Sequence, residues 1–294
     1  NSLGAEWRTD AQIGYDTFLR TEFIQPLQLR DGLFVAPYAL ARRNFIQLYA
    51  ADVRLGDIEI ERYQGGLDMG ISGSIGELRI GPYINAVTSK PGLGAINPAF
   101  STEENDQKGI ELRVIIDQMD DPVFPRSGVL ANLDIRKVDH NGDPDLERYT
   151  RAQAVLDGAV SFGDNTLRAH LEWGDEISGQ SYMPVFETFS LGGPLRLSGL
   201  YLDQLTGYDY DLATLSYYHR YASMLPQIGR GIYVGLSAES GRIDDPLMTK
   251  PNEWINSGSI FWGADTILGA LYLGYGRSFS PDQSSFYLVI GPQF

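Results

Sequence analysis

Apolar and polar side chains alternate with a period of two along most of this chain. In GIELRVIIDQ, Ile110, Leu112 and Val114 fall on one face, and Glu111 and Arg113 fall on the other. This alternation predicts β-strands, because successive side chains of a strand point to opposite faces. Turn signals divide the chain into about fourteen such segments. They lie near residues 4–14, 15–26, 33–48, 55–73, 76–90, 107–118, 128–139, 146–162, 165–178, 207–223, 231–243, 254–267, 269–280 and 284–294.

The lengths of these segments favour a membrane barrel. A strand in a soluble sandwich typically has about 5–6 residues, whereas a tilted membrane-spanning strand has about 9–11. No amphipathic helix is available to cover an apolar sheet face. In lipid every backbone group needs a partner, so the sheet must close, with apolar side chains outward and charges in the lumen. The predicted fold is therefore an all-β, transmembrane, antiparallel β-barrel.

The connections also alternate in length, with short turns on one rim and long loops on the other, as in outer-membrane barrels. The exception is the moderately long segment 117–128, which falls on the short-turn rim. The long connections are 89–106, 139–147, 179–207 and 241–254.

Composition and charge exclude several functions. The formal net charge of −15, with 23 Lys and Arg, argues against nucleic acid, which needs clustered positive charge. There is no cysteine for a disulfide or a thiolate metal site, and no 18-residue apolar run for a transmembrane helix. DHNGDPD (139–145) loosely resembles a calcium loop, but Pro144 and Thr150 stand where an EF-hand needs Gly and Glu. It is interpreted as a solvated turn, and no metal or cofactor is expected.

Aromatic side chains are abundant, with 17 Tyr and 4 Trp. In membrane barrels such residues form girdles at the two lipid–water interfaces. The predicted girdle residues are Trp7, Tyr217, Tyr218, Tyr221, Trp254, Trp262, Tyr272 and Tyr275.

The last segment places Phe286, Leu288, Ile290 and Phe294 on one face. A final strand that ends in Phe resembles the C-terminal signal by which bacterial outer-membrane proteins are recognised for insertion. The expected location is therefore the bacterial outer membrane. Outer-membrane lipid, lipopolysaccharide and the outer-membrane assembly machinery are the expected partners there.

Four stretches, in order along the chain, resemble the barrel of the outer-membrane insertase and translocase superfamily (bacterial surface antigens). DQMDDPVFPRSGVLANLDI (117–135) is similar to an Asp…Pro-x-x-Gly turn of that family, and FSLGGPLRLSG (189–199) to its Gly-Gly motif on the sixth extracellular loop. YVGLSAESGRI (233–243) resembles the strand that receives this loop, and 263–294 resembles the last two hairpins. LGGPLRLSG looks most like the barrels of patatin-like type V autotransporters.

This resemblance implies a single barrel domain over 1–294, with the loop at about 179–207 folded into the lumen. Family barrels have sixteen strands, so two N-terminal strands are expected upstream of Asn1. The family loop carries an Arg where Ser198 stands here, and Arg196 is expected to take over by pairing with Glu239. Two unrelated lumen charges are the alternative for that pair. The implied residues of the lumen loop latch are Gly192, Gly193, Arg196, Ser198, Gly199 and Glu239.

The resemblance also assigns a periplasmic turn motif to Asp117, Asp121, Pro125 and Gly128. This turn either faces an upstream soluble domain or is simply shaped by Pro and Gly, with Asp side chains as acceptors.

The predicted function is an outer-membrane translocator or assembly barrel that moves or inserts a polypeptide. Its partners would be its own N-terminal, patatin-like passenger and a periplasmic transport domain; self-association is left open. The alternatives are a passive diffusion porin and a lipid hydrolase in the barrel wall. No enzymatic chemistry is expected in this chain. A Ser–His hydrolase would need a nucleophile beside one of the three His, and the sequence contains no G-x-S-x-G motif to supply a nucleophilic Ser. Any lipase activity would belong to an upstream domain.

Overall fold

The computed structural model describes residues 4–28, 32–50, 53–92, 102–140, 148–179, 183–224, 229–244, 253–267 and 269–291. Within them lie sixteen strands and a single-turn 3-10 helix, Val185–Glu187. The strands are β1 (Glu6–Gln12), β2 (Thr17–Pro26), β3 (Leu33–Ala50), β4 (Val53–Ser72), β5 (Gly76–Pro91), β6 (Glu103–Asp117), β7 (Gly128–His140), β8 (Tyr149–Phe162), β9 (Asn165–Glu176), β10 (Phe189–Leu191), β11 (Leu205–Gly207), β12 (Asp209–Ser223), β13 (Gly229–Asp244), β14 (Ile255–Thr266), β15 (Gly269–Phe279) and β16 (Asp282–Ile290).

Fourteen strands form one sheet in sequence order, β1 to β9 followed by β12 to β16. Neighbouring strands run antiparallel, for example β13 beside β14 with Glu239 opposite Ser257. Each of these strands coincides with one of the predicted segments, so the all-β, antiparallel prediction is confirmed. The short strands β10 and β11 pair only with each other, inside the connection between β9 and β12. They were not predicted, because three residues are too few to show alternation.

The two faces of the strands have the reverse of the polarity found in a soluble protein. On β4, Leu67, Met69 and Ile71 are 46%, 57% and 45% exposed. Gln64 and Asp68, on the opposite face of the same strand, are 8% and 1% exposed. Water-soluble sheets bury the apolar face, whereas a barrel in lipid presents it outward and encloses the polar one. No helix among the described residues is long and apolar enough to cross a bilayer.

The chain packs as two compact units. The first comprises Asn1–Ile116, Asn132–Ala154 and Gly174–Thr188; the second comprises Asp117–Ala131, Val155–Trp173 and Phe189–Phe294. The expectation of one barrel domain over the whole chain stays a prediction.

Buried charges in the first unit form ion pairs. Arg79 Nη1 lies 2.7 Å from Glu22 Oε2, and Arg113 Nη2 lies 2.6 Å from Asp68 Oδ2. The Arg113 guanidinium also lies 5.7 Å from the centre of the Tyr38 ring. These charges avoid the high cost of unpaired burial, because each is matched and hydrogen-bonded.

The second unit contains an aromatic cluster centred on Phe124. The Phe124 ring stacks on Tyr233 with centroids 4.2 Å apart, and lies 4.9 Å from the ring of Tyr272. Tyr218 meets Phe124 edge-on at 5.8 Å. Tyr218 and Tyr272 are each only 2% exposed, so their assignment to an interfacial girdle was wrong. Both lie on the polar faces of their strands, where their rings surround Phe124 instead of meeting lipid.

Candidate functional site

The candidate site is built around the connection between β9 and β12, residues 177–208. Within this connection β10 and β11 pair as a short antiparallel ladder, with Ser190 opposite Thr206. Between them lies a tip, residues 192–204, that contains the predicted Gly-Gly motif. Leu191, Leu197, Ser198 and Leu200 of this segment are at most 1% exposed. These four residues are therefore packed against other parts of the protein rather than facing solvent, whereas Tyr201 and Leu202 of the tip are 44% and 45% exposed.

The tip has an unusual backbone. Gly192 and Gly193 have φ angles of +124° and +105°, which glycine adopts without steric penalty. Leu195 and Leu197 also have positive φ, +59° and +72°, in a region that costs a residue with a Cβ about 1–3 kcal/mol. The left-handed residues alternate with ordinary ones, so neighbouring side chains leave the tip in different directions. Surrounding contacts must hold this conformation.

Ser198 attaches the tip to β13. Its hydroxyl donates to Glu239 Oε1 at 2.6 Å, and its backbone N–H donates to Glu239 Oε2. Ser237, two residues earlier on β13, donates its hydroxyl to Glu239 as well. Glu239 is 3% exposed, so these neutral donors satisfy a nearly buried carboxylate.

The expected Arg196–Glu239 pair does not form. Arg196 instead makes a two-pronged contact with Glu172 of β9, Nε to Oε1 at 2.8 Å and Nη2 to Oε2 at 2.7 Å. Left-handed Leu197 lies between Arg196 and Ser198, and the two side chains leave the backbone in different directions, Ser198 to Glu239 and Arg196 to Glu172. The tip therefore has a charged attachment to β9 beside the neutral one to β13, and the Thr214 hydroxyl of β12 also donates to the Leu195 carbonyl at 2.9 Å. Glu172 was not predicted, because alternation shows which face a residue is on but not its partner.

Glu172 belongs to a longer polar chain. The Tyr210 hydroxyl donates to its Oε2 at 2.9 Å. His170 Nε2 lies 2.9 Å from Glu172 Oε1, while His170 Nδ1 lies 3.1 Å from Asp157 Oδ2. Arg168 completes the chain with a 2.5 Å contact to Asp157. The loop tip is thus joined, through Arg196, to a continuous hydrogen-bonded network on β8 and β9.

Two glycines allow the tip backbone to touch β15. A Cβ atom at Gly199 would lie 1.8 Å from the backbone nitrogen of Ser278. A Cβ atom at Gly276 would lie 2.1 Å from the backbone oxygen of Ser198. Both distances are far below van der Waals contact, so only glycine fits at either position. Gly199 was a predicted latch residue, but its partner Gly276 was not.

A further anchor holds the start of the connection within the first unit. Glu187, in the 3-10 helix, contacts Arg62 of β4 at 2.6 Å, Arg136 of β7 at 3.5 Å and Arg151 of β8 at 3.9 Å. Burial acts to raise the pKa of Glu187, but the three arginines outweigh it and lower the pKa to about 2. Phe186 beside it packs on a cluster of Leu48, Ile58, Ile60 and Val87. Nothing in the local sequence distinguishes Glu187 from a surface acid.

The predicted turn motif forms a compact turn after β6. Asp121 Oδ1 accepts the N–H groups of Val123 and Phe124 at 2.8 and 3.0 Å, and Asp117 accepts that of Met119 at 3.1 Å. Burial acts to raise the pKa of Asp120, but the backbone N–H groups of Ser127 and Arg126 outweigh it and lower the pKa.

The rest of the motif positions Phe124. Gly128 closes the turn at φ +119°, and the Pro125 carbonyl accepts the hydroxyl of Tyr218. The turn thus places Phe124 in the aromatic cluster, where the ring is 2% exposed. The predicted motif marked the turn but not this residue, which is the one that contacts the strands.

On the C-terminal strand, Phe286, Leu288 and Ile290 are 80%, 63% and 69% exposed on one face. The fourth residue of the predicted insertion signal, Phe294, lies outside the described residues, as do 141–145 of the candidate calcium loop. The insertion role stays a prediction.

The geometry of the strands and loop has a counterpart in a known family. The family model described as the OMP85 superfamily matches residues 96–294. The chain belongs to this superfamily. The matched region includes β7 to β16, the docked tip and the turn that carries Phe124.

Solved structures of similar fold include barrels of the same kind. BamA from Haemophilus ducreyi lacking POTRA domains 1–3 aligns with a TM-score of 0.71 and 11% identity, covering 97% of this chain and 64% of that one. CdiB from Acinetobacter baumannii aligns at 0.56 and 11%, covering 92% and 48%. CdiB from Escherichia coli aligns at 0.58 and 10%, covering 95% and 51%.

At these identities the structural likeness is one of fold, and the chain spans about half to two-thirds of those proteins. Comparison with curated protein sequences gives no match. Together with the family assignment and the outward apolar face, the fold confirms the predicted location. The chain is an OMP85-type outer-membrane β-barrel protein.

Proposed function

We propose that this chain is the membrane part of a polypeptide translocator or insertase, with the β9–β12 connection as a removable plug. The observation that carries the proposal is the docking of the tip by Ser198 on Glu239 and by Arg196 on Glu172. All the contacts are non-covalent, so the tip can leave and return without chemistry. A docked plug suits a protein that must pass a polypeptide yet keep the membrane sealed between clients.

The proposed client is a polypeptide attached upstream of the barrel, as in the patatin-like autotransporters that LGGPLRLSG resembles. That sequence resemblance supports the proposal, and the similar structures are longer than this chain, which spans 64% of one and about half of the other two. A periplasmic transport domain between passenger and barrel belongs to the same proposal. The barrel itself would contribute transport and no catalysis.

Electrical recording in planar lipid bilayers tests the plug. The unaltered chain is expected to show a closed or flickering pore, and a variant with residues 192–204 replaced by a short Gly-Ser link is expected to show a larger and steadier current. The control is Arg42→Gln, which breaks a partly exposed ion pair with Asp16 within the first unit.

A steady, large current from the unaltered chain would overturn the proposal and favour a passive diffusion porin. Equal currents from the unaltered chain and the tip-replaced variant would also contradict it, because the tip would then close nothing.

A further inference from the structure

The 3-10 helix of the β9–β12 connection places a single carboxylate among three guanidinium groups. Glu187 Oε1 accepts a 2.6 Å hydrogen bond from Arg62 Nη2. Glu187 Oε2 lies 3.5 Å from Arg136 Nη1 and 3.9 Å from Arg151 Nε. The Arg151 Nε also donates to the backbone oxygen of Glu187 at 3.0 Å.

The three arginines and the carboxylate belong to different parts of the chain. Arg62, Arg136 and Arg151 are on β4, β7 and β8, three strands of the sheet. Glu187 is on the connection, where one helical turn carries it. The cationic half of the site is therefore fixed in the strands, whereas the anionic half is attached through a segment of the plug.

Burial gives this arrangement its binding strength. Arg62 and Arg151 are 8% and 9% exposed, and Glu187 is 4% exposed. Guanidinium groups in such surroundings bind carboxylates more strongly than in open water. Asp134 lies 3.2 Å from Arg136, and Gln153 accepts a hydrogen bond from Arg151 at 3.2 Å. These two contacts help to position Arg136 and Arg151, whereas Arg62 is positioned by Glu187. Glu187 is the carboxylate that Arg62 binds.

We propose that Arg62, Arg136 and Arg151 form a binding site for carboxylates of an acidic polypeptide segment, and that Glu187 occupies it as a tethered stand-in. This inference rests on the proposed function, because the ligand is a segment of the client. An acidic segment that enters the site displaces Glu187 and frees the start of the connection. Client recognition and plug release are then the same exchange of carboxylates.

The first test measures binding of a labelled hexaglutamate peptide to the full chain in detergent micelles by fluorescence anisotropy. Glu187→Gln removes the competing charge and is expected to tighten binding by about tenfold. Adding Arg62→Gln to this variant is expected to reverse most of the gain. Hexaglutamine should bind equally weakly to every variant.

Glu61→Gln is the matched control, since it also removes one carboxylate from an ion pair, here with Lys90 at 2.6 Å. It should bind hexaglutamate like the unaltered chain. Equal binding by Glu187→Gln and Glu61→Gln would overturn the proposal, as would a gain that extends to hexaglutamine. In either case Glu187 would be an anchor and not the occupant of a ligand site.

A second measurement needs no substitution. Hexaglutamate added to the unaltered chain in a bilayer is expected to raise the open fraction of the pore, and hexaglutamine is not. If hexaglutamate has no effect on the open fraction while the tip-replaced variant still shows the larger current, the carboxylate site is ruled out and the plug is retained. If Glu187→Gln binds hexaglutamate more tightly but the tip-replaced variant has the same current as the unaltered chain, the plug is ruled out and the carboxylate site is retained.

Discussion

Ser198 holds Glu239 by two groups at once, its hydroxyl 2.6 Å from Oε1 and its N–H bonded to Oε2. Ser237 adds a third donor, so a carboxylate that is 3% exposed is satisfied by neutral groups alone. The charged attachment of the tip lies elsewhere, between Arg196 and Glu172. These two side-chain contacts of the loop thus differ in chemistry.

Replacing Glu239 by Gln should weaken the docked state. The Gln amide nitrogen is a donor, so it cannot accept from the Ser198 N–H and hydroxyl together with the Ser237 hydroxyl. A hydrogen bond to a charged group is worth about 1.5–3 kcal/mol, so the undocked fraction should rise tenfold or more. Single-channel open time measures it.

Ser198→Ala keeps the N–H bond and should cost less, about 1 kcal/mol. Ser284→Ala, at an exposed position of β16, serves as the control and should not change the open time. Glu239→Gln recordings that match the unaltered chain would show that the Ser198 contact does not set the docked state.

Gly276→Ala should displace the tip by a steric clash. The new Cβ atom would lie 2.1 Å from the Ser198 carbonyl oxygen, and overpacking of this kind costs about 1–3 kcal/mol. Gly158→Ala is the matched control, because a Cβ there meets nothing within 4 Å. The open time should rise for Gly276→Ala only. A similar response from both glycines would mean that a general loss of stability, and not the tip contact, is being recorded.

Phe124→Ala should destabilise the folded protein by about 3 kcal/mol, because it empties the centre of the cluster around Tyr233 and Tyr272. Urea-induced unfolding in micelles, followed by tryptophan fluorescence, measures the loss. Phe279→Ala makes the same chemical change at a side chain that is 65% exposed, and it should lower the free energy of unfolding by less. Equal losses at the two positions would argue against a structural role for the turn in closing the cluster.

The Glu187 anchor should weaken only in acid. Its pKa is lowered from 4.5 to about 2, so its contribution to docking is complete above pH 4.5 and is lost as the pH falls toward 2. Glu187→Gln imitates the protonated form, so its open fraction should exceed that of the unaltered chain at pH 7. The open fractions of Glu187→Gln and the unaltered chain should become equal as the pH approaches 2. Convergence already above about pH 5 would contradict the lowered pKa.

Alternation was sufficient to place every strand of the large sheet. The outer residues Leu67, Met69 and Ile71 share one face of β4 because side-chain direction in a strand repeats every two residues, and this needs no knowledge of neighbours. The family motifs likewise marked the tip and the turn, since both rely on glycine or proline at set positions. These features are local, and a sequence displays local features directly.

Partnerships across the molecule were beyond such reasoning. Arg196 binds Glu172 and not Glu239, and the left-handed Leu195 and Leu197 on either side of it show no signature in the order of residues. Glu187 meets Arg62 across 125 positions of sequence, and Phe124 enters a cluster assembled from β12 to β15. Strand positions follow from residue order, whereas the choice among many equally charged or aromatic partners depends on which side chains folding brings within a few ångströms.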